Sequence, residues 1–354
     1  MTAASAQSTV TLSGTYRFAQ QKDLSVAYNS ATANKNIQQV GGSSTTAPTV
    51  ATSTFTRTGQ GLAVTDANLK LAAVEDLGGG MKASFDYLLE TGHFRGAAVT
   101  RADSGIGLSG GFGAIAMRNT RGSDLLASIG SSAINLPDGL YDNSGILSRG
   151  AIDTLSYTAP AIGGVTASLT YVENNDGAIN LAGTDAVPEN TSIYVLGAAW
   201  ANGPISIMAA YKTPPQNKTA GSGLTPKANL ELAVSYDLGF AKVSYAYDAA
   251  TASGTAAASA GTAAGTNLSA AEATAIAKAT TKAAQGLSVT VPMGAASVGF
   301  NYFKRDVAVY TEIGARYDFS KRTSVAAGFG TKSGLTETAG YKGSQYRVGL
   351  THTF

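Results

Sequence analysis

Large apolar residues alternate with small or polar ones in short stretches along almost the whole chain. In residues 9–18, Val10, Leu12, Gly14, Tyr16 and Phe18 share one face of an extended segment, and Thr9, Thr11, Ser13, Thr15 and Arg17 share the other. Strand side chains repeat with period two, so this pattern predicts a strand with one apolar and one polar face. The last stretch repeats it, with Tyr346, Val348, Leu350, His352 and Phe354 set against Arg347, Gly349, Thr351 and Thr353. Sixteen such segments are predicted, at 9–18, 61–75, 81–90, 97–110, 112–120, 151–159, 164–173, 191–201, 204–212, 228–238, 240–249, 286–292, 295–304, 308–319, 322–331 and 344–354. The connections alternate between short ones, such as Gly78 to Gly80 and Ser320-Lys321, and long ones at 21–60, 121–150, 174–190, 213–227 and 250–285. An even number of antiparallel strands with this rhythm can close on itself, which removes the unpaired edges of an open sheet.

The polar second face decides what closure encloses. Burying it without partners would cost about 1 to 3 kcal/mol per group, whereas a water-filled interior satisfies it. Composition agrees: 14% of the 354 residues are charged, against about 25% in ordinary soluble proteins. Overall hydropathy is close to neutral. No run of about 18 apolar residues predicts a membrane helix, but a membrane strand needs only about 9 to 11 residues, half of them apolar. The expected fold is therefore all-β, a sixteen-stranded antiparallel transmembrane β-barrel forming one domain over residues 9–354. Residues 1–8 are read as a processing remnant or an altered start, with Ala4-Ser5-Ala6 like a signal-peptidase site. In the long connection at 250–285, Ser269 and Glu272 form a capping box ahead of an alanine-rich run, a pattern that fits either a short helix or a disordered low-complexity loop.

Several segments give the pattern a family likeness. The end of the chain, with Tyr346, Arg347, Gly349, His352 and a terminal Phe354, resembles the sorting signal by which outer-membrane barrels are recognised for assembly. The turn Glu75-Asp76-Leu77-Gly78-Gly79-Gly80-Met81-Lys82-Ala83 resembles the first periplasmic turn of general porins from β-proteobacteria. Similar matches follow in order at Leu108 to Gly113, Leu155 to Pro160, Tyr236 to Lys242 and Tyr317 to Thr323. The resemblance implies a homotrimer in the bacterial outer membrane, folded by the outer-membrane assembly machinery and acting as a passive channel for small hydrophilic solutes. It also implies that the third external loop, residues 121–150, folds into the barrel as a constriction, with Asp124 and Asp138 facing a basic wall. Positions where related porins often carry arginine read Asn68 and Ala116 here, and Arg17 stands where many carry aspartate.

Candidate chemistry lies in the charges that parity places inward on the first five strands: Arg17, Lys70, Lys82, Arg101, Asp103 and Arg118. Lys or Arg facing lipid at mid-depth costs about 2 to 4 kcal/mol, so the interior is their expected place. A basic wall there favours anions, which predicts a mild anion preference. A specific channel for organic acids or phosphate, and a structural or adhesive barrel, are the competing readings. No enzyme is expected. There is no cysteine, and the two histidines, His93 and His352, lack metal-ligand spacing. Gly105, Gly107 and Gly110 match a dinucleotide fingerprint, but the residues after them alternate as a strand and supply no helix N-terminus for a phosphate. No cofactor and no nucleic-acid partner are expected, the latter because net charge is only +2.

Overall fold

A computed structural model of the chain describes residues 8–29, 54–91, 99–121, 125–131, 133, 151–173, 192–214, 224–250, 252–254, 282–306, 308–333 and 343–354. The strands are β1 (Ser8–Asn29), β2 (Thr54–Gly78), β3 (Met81–Thr91), β4 (Val99–Gly110), β5 (Gly113–Arg121), β6 (Ala151–Thr158), β7 (Val165–Glu173), β8 (Ile193–Asn202) and β9 (Ile205–Lys212). They continue as β10 (Leu224–Pro226), β11 (Asn229–Asp237), β12 (Lys242–Asp248), β13 (Ala252–Gly254), β14 (Ala284–Met293), β15 (Ala296–Arg305), β16 (Ala308–Asp318), β17 (Thr323–Ser333) and β18 (Gly343–Thr353). All but β10 and β13 form one closed barrel of sixteen strands, in which β1 pairs on one side with β2 and on the other with β18. Every pairing is antiparallel, as consecutive strands joined by tight turns require.

Closure is made by the last residues. The β1–β18 ladder runs from Thr15 opposite Thr353 to Lys22 opposite Tyr346. Beyond it, Gly14 N donates to the Phe354 carbonyl at 3.2 Å and Phe354 N donates to the Gly14 carbonyl at 3.1 Å. The Phe354 ring covers Gly14, where an added Cβ would lie 2.5 Å from Cζ. The absent side chain of β1 thus makes the seat for the aromatic terminus. At the β2–β3 turn, Gly78, Gly79 and Gly80 take φ values of 78°, 62° and 78°, conformations open to glycine but disfavoured for other residues. Asp76 Oδ1 accepts the Gly78 amide at 2.9 Å, and Asp237 repeats this with the Gly239 amide at 2.8 Å. Tyr-Asp-Leu-Gly and Glu-Asp-Leu-Gly are therefore one turn device used twice.

Alternation separates two faces. Leu12, Leu71, Phe85, Ile106, Leu169, Leu196, Leu232, Phe300, Ile313 and Leu350 are large apolar residues left exposed on the outside, as a lipid-facing band requires. Asn229, Glu231, Ser235, Asp248, Ser288, Asn301 and Glu312 are polar residues buried on the other face. Inside the barrel, α1 (Leu125–Ser128) lies against β9, β11, β12 and β14. Leu126, fully buried, packs in a cluster with Ile129, Ala233, Ala246, Ala284, Phe303, Ala308 and Tyr310. The apolar core therefore sits within the barrel, between one wall and the segment after β5.

Three connections differ from expectation. Pairing between β1 and β2 runs on from Ser25 opposite Thr58 to Asn29 opposite Thr54, so both flanks of the loop expected at 21–60 are strand. Short strands β10 and β13, in the expected loops 213–227 and 250–285, pair as a separate two-stranded sheet. The short helix or loop expected after Ser269, and residues 1–7, lie outside the described residues.

The two faces should respond differently to charge one residue apart. Leu169→Lys, on the outer face of β7, is expected to lower unfolding stability in lipid by about 2 to 4 kcal/mol, and Thr170→Lys, on the inner face, by less than about 1 kcal/mol. Denaturant unfolding of the barrel in vesicles measures both.

Candidate pore-lining site

The inner face can be followed from strand to strand by register, starting from Asn301, which accepts the Ser131 amide from inside the barrel. Asn301 lies opposite Glu312, Glu312 opposite Gly330, and Gly330 opposite Gln345. Alternation along β18 then gives Arg347 and Thr351, which face Gln21 and Arg17 of β1. Arg17 lies opposite Asp66. Further round, Lys70 lies opposite Leu88, Leu88 opposite Asp103, Asp86 opposite Gly105, and Gly105 opposite Arg118. Arg17, Lys70, Asp103 and Arg118 thus share the inner face of β1 to β5.

These charges are held in pairs by acids on the same wall. Arg17 Nε donates to Thr351 Oγ1 at 3.0 Å, and its Nη1 stands 3.8 Å from Asp66. Arg118 grips Asp86 with both nitrogens, at 2.8 and 2.7 Å, a fork geometry that fixes the guanidinium plane. Lys70 Nζ stands 3.6 Å from the same carboxylate, and Asp103 lies within electrostatic reach of Arg118. Two cations therefore share Asp86.

Arg118 reaches Asp86 by crossing a strand. Asp86 is on β3, Arg118 on β5, and the residue between them on β4 is Gly105. A Cβ there would meet Arg118 Nη1 at 2.9 Å, Cγ at 3.0 Å and Cζ at 3.1 Å. The glycine that begins the apparent nucleotide fingerprint is the gap through which an arginine lies across its neighbour.

Not every expected residue joins this wall. A register shift on β4 pairs Leu88 with Asp103 but Leu89 with Arg101. Leu89 pairs with Leu69, an exposed outer-face residue. Parity had tied Arg101 to Asp103, but the bulge moves the Arg101 backbone position to the other face. Lys82 keeps the parity of Asp86 along β3 but stands at the end of that face, exposed beside the β2–β3 turn and in register with Asp76 and Ser109. Asp124 and Asp138 lie outside the described residues. Tyr346 pairs with Lys22 and Phe329, and Gly349 with Ala19 and Ala326, within the closing strand.

Across the barrel from this wall stands a second set of charges that sequence reasoning passed over. Lys212 pairs with Glu231, both buried. Arg305 Nη2 meets Asp248 at 2.8 Å, and Asn229 donates to Asp248 at 2.6 Å. Glu231 Oε2 also accepts the Leu125 amide at 3.0 Å, at the start of α1. Parity applied to β11 would have placed Asn229, Glu231 and Ser235 on one face, as it would have placed Asp86 with Lys82 on β3. Among the described residues, no group of three or more His, Asp or Glu side chains is arranged to hold a metal ion.

A closed barrel with an apolar outside, a charged inside and a segment folded in after its fifth strand defines the pore-type barrel of the bacterial outer membrane. The Gram-negative porin family model matches residues 2–336, and the chain belongs to that family. Outer membrane porin protein 32 of Delftia acidovorans is 31% identical over 198 residues, a match spanning 50% of this chain and 52% of that one. The chain thus aligns with about half the length of that relative. Among solved structures, the anion-selective porin from Comamonas acidovorans superimposes with a TM-score of 0.62 at 20% identity, covering 98% of this chain and 100% of that chain. A porin variant from Rh. blastica gives 0.59 at 14% identity, with the same coverage. At these identities both speak to the fold.

Gly105→Val is expected to push the Arg118 guanidinium off Asp86 and to destabilise the barrel by about 1 to 3 kcal/mol, as overpacking does. Denaturant unfolding reads the cost, and an unchanged midpoint would mean that Arg118 does not need the gap.

Proposed function

We propose that the protein is a passive diffusion channel for small hydrophilic solutes and ions, with a mild preference for anions. The observation that carries this reading is the placement of α1. The segment following β5 is laid against β9 to β14, across the barrel from β1 to β5, so that solutes pass between it and the wall bearing Arg17, Lys70 and Arg118. Transport needs no cofactor, because width and field at this passage do the selecting.

The sign of selectivity follows from the balance on that wall. Asp86 faces two cations, Lys70 and Arg118. Acids nevertheless sit among the bases, Asp66 beside Arg17 and Asp86 beside Arg118, so the expected preference is weak. Asp124 and Asp138 would face the wall from the loop, and Lys82 would add positive potential at the periplasmic mouth. The description anion-selective belongs to the Comamonas acidovorans porin, and supports the same direction here. A β-proteobacterial source and a trimeric assembly belong to the same reading.

Reconstituted into a planar bilayer, the protein is expected to conduct in discrete steps; no steps would sink the channel reading. In a salt gradient the reversal potential should carry the sign of anion preference. Asp86→Asn should move it further that way and Arg118→Gln back towards zero. Current that saturates with one solute would favour a specific channel instead.

A further inference from the structure

The described part of the inward segment touches the barrel at three kinds of contact. At its start, Glu231 Oε2 accepts the Leu125 amide at 3.0 Å while Oε1 is bound by Lys212 Nζ. At its end, Asn301 Oδ1 accepts the Ser131 amide at 2.9 Å, and Thr290 Oγ1 donates to Ser131 Oγ at 2.9 Å. Between them Leu126 enters the apolar cluster beside Gly286, where a Cβ would lie 3.0 Å from Leu126 Cδ1. Gly299 leaves room for Ser131 in the same way. Two glycines and two side-chain acceptors on three strands, β11, β14 and β15, are matched to one short stretch of chain.

Glu231 is the unusual member. It and Lys212 are only 1% and 2% exposed, and a buried ion pair contributes little net stability, because desolvating both charges offsets their attraction. A pair so placed can still fix an atom in space. Lys212 holds one carboxylate oxygen, which leaves the other aimed at an amide that has no partner within its own helix. Asn301 is braced likewise, accepting from Ser288 Oγ at 2.7 Å.

We propose that Glu231, held by Lys212, is a positioning residue for permeation: with Asn301 it clamps the 125–131 segment to the β11–β15 wall and so sets the width of the passage on the other side. This rests on the channel reading. Loss of the Glu231 carboxylate frees the start of α1, and the segment then moves between more than one position across the opening.

Single-channel recording tests it. Glu231→Ala is expected to lose the steady open level and to flicker among sub-conductance states, while Glu231→Gln, which still offers an oxygen to Leu125, should recover much of the steadiness. Because the chain has no cysteine, Ser131→Cys with Thr290→Cys can be added to the Glu231→Ala protein; the hydroxyls they replace are 2.9 Å apart, close enough for a disulfide after a small adjustment. Oxidation should suppress the flicker and reduction restore it. A merely structural role would alter the unfolding midpoint without redox-reversible noise. If the unsubstituted protein conducts but Glu231→Ala conducts as steadily, or if oxidation leaves the flicker unchanged, the clamp is overturned. If the unsubstituted protein does not conduct, the channel reading itself fails.

Discussion

Hydrocarbon offers no partner to a backbone amide or carbonyl, and the rest of this structure answers to that constraint. A strand in lipid must be paired on both edges, so a sheet there must close. In this chain closure depends on the pairing of β1 with β18, finished by the reciprocal hydrogen bonds between Gly14 and Phe354. Once the ring is shut, strand parity assigns each residue to lipid or to the interior. Charges at mid-depth then have one place to go.

Within the barrel strands, glycine is used to make room rather than to bend the chain. Gly14 seats Phe354 on the outside, Gly105 lets Arg118 cross, and Gly286 and Gly299 receive the inward segment. Each gap matches one bulky or charged neighbour from another part of the chain. The barrel wall therefore has relief as well as polarity, and the relief fixes where arginines and the 125–131 segment rest.

The fold was legible because its signal is local. Alternation such as Val10, Leu12, Tyr16 and Phe18 against Thr11, Ser13 and Arg17 names both faces of a strand without knowledge of its partners. Irregular backbone was harder to read. Nothing in Arg101-Ala102-Asp103 announces the bulge that separates Arg101 from Asp103, and although Leu24, Val26 and Tyr28 alternate as a short strand would, nothing there announces that they continue β1 without a break to Asn29. Long-range partners left no mark at all. Glu231 and Leu125 are 106 positions apart, and Asn301 and Ser131 are 170 apart. Asp86 could have been read from parity on β3, but its grip on Arg118 required knowing that the residue between them is a glycine.

The crossing of Arg118 over Gly105 also bears on how charge and calibre relate. An arginine projecting from a wall brings its potential at the expense of free cross-section, and its loose end blurs the field. Laid flat over a missing side chain and gripped at both nitrogens, the guanidinium electrifies the wall while leaving its contour nearly smooth. The strength of the field and the bore of the opening then become separate variables, which substitutions can alter one at a time.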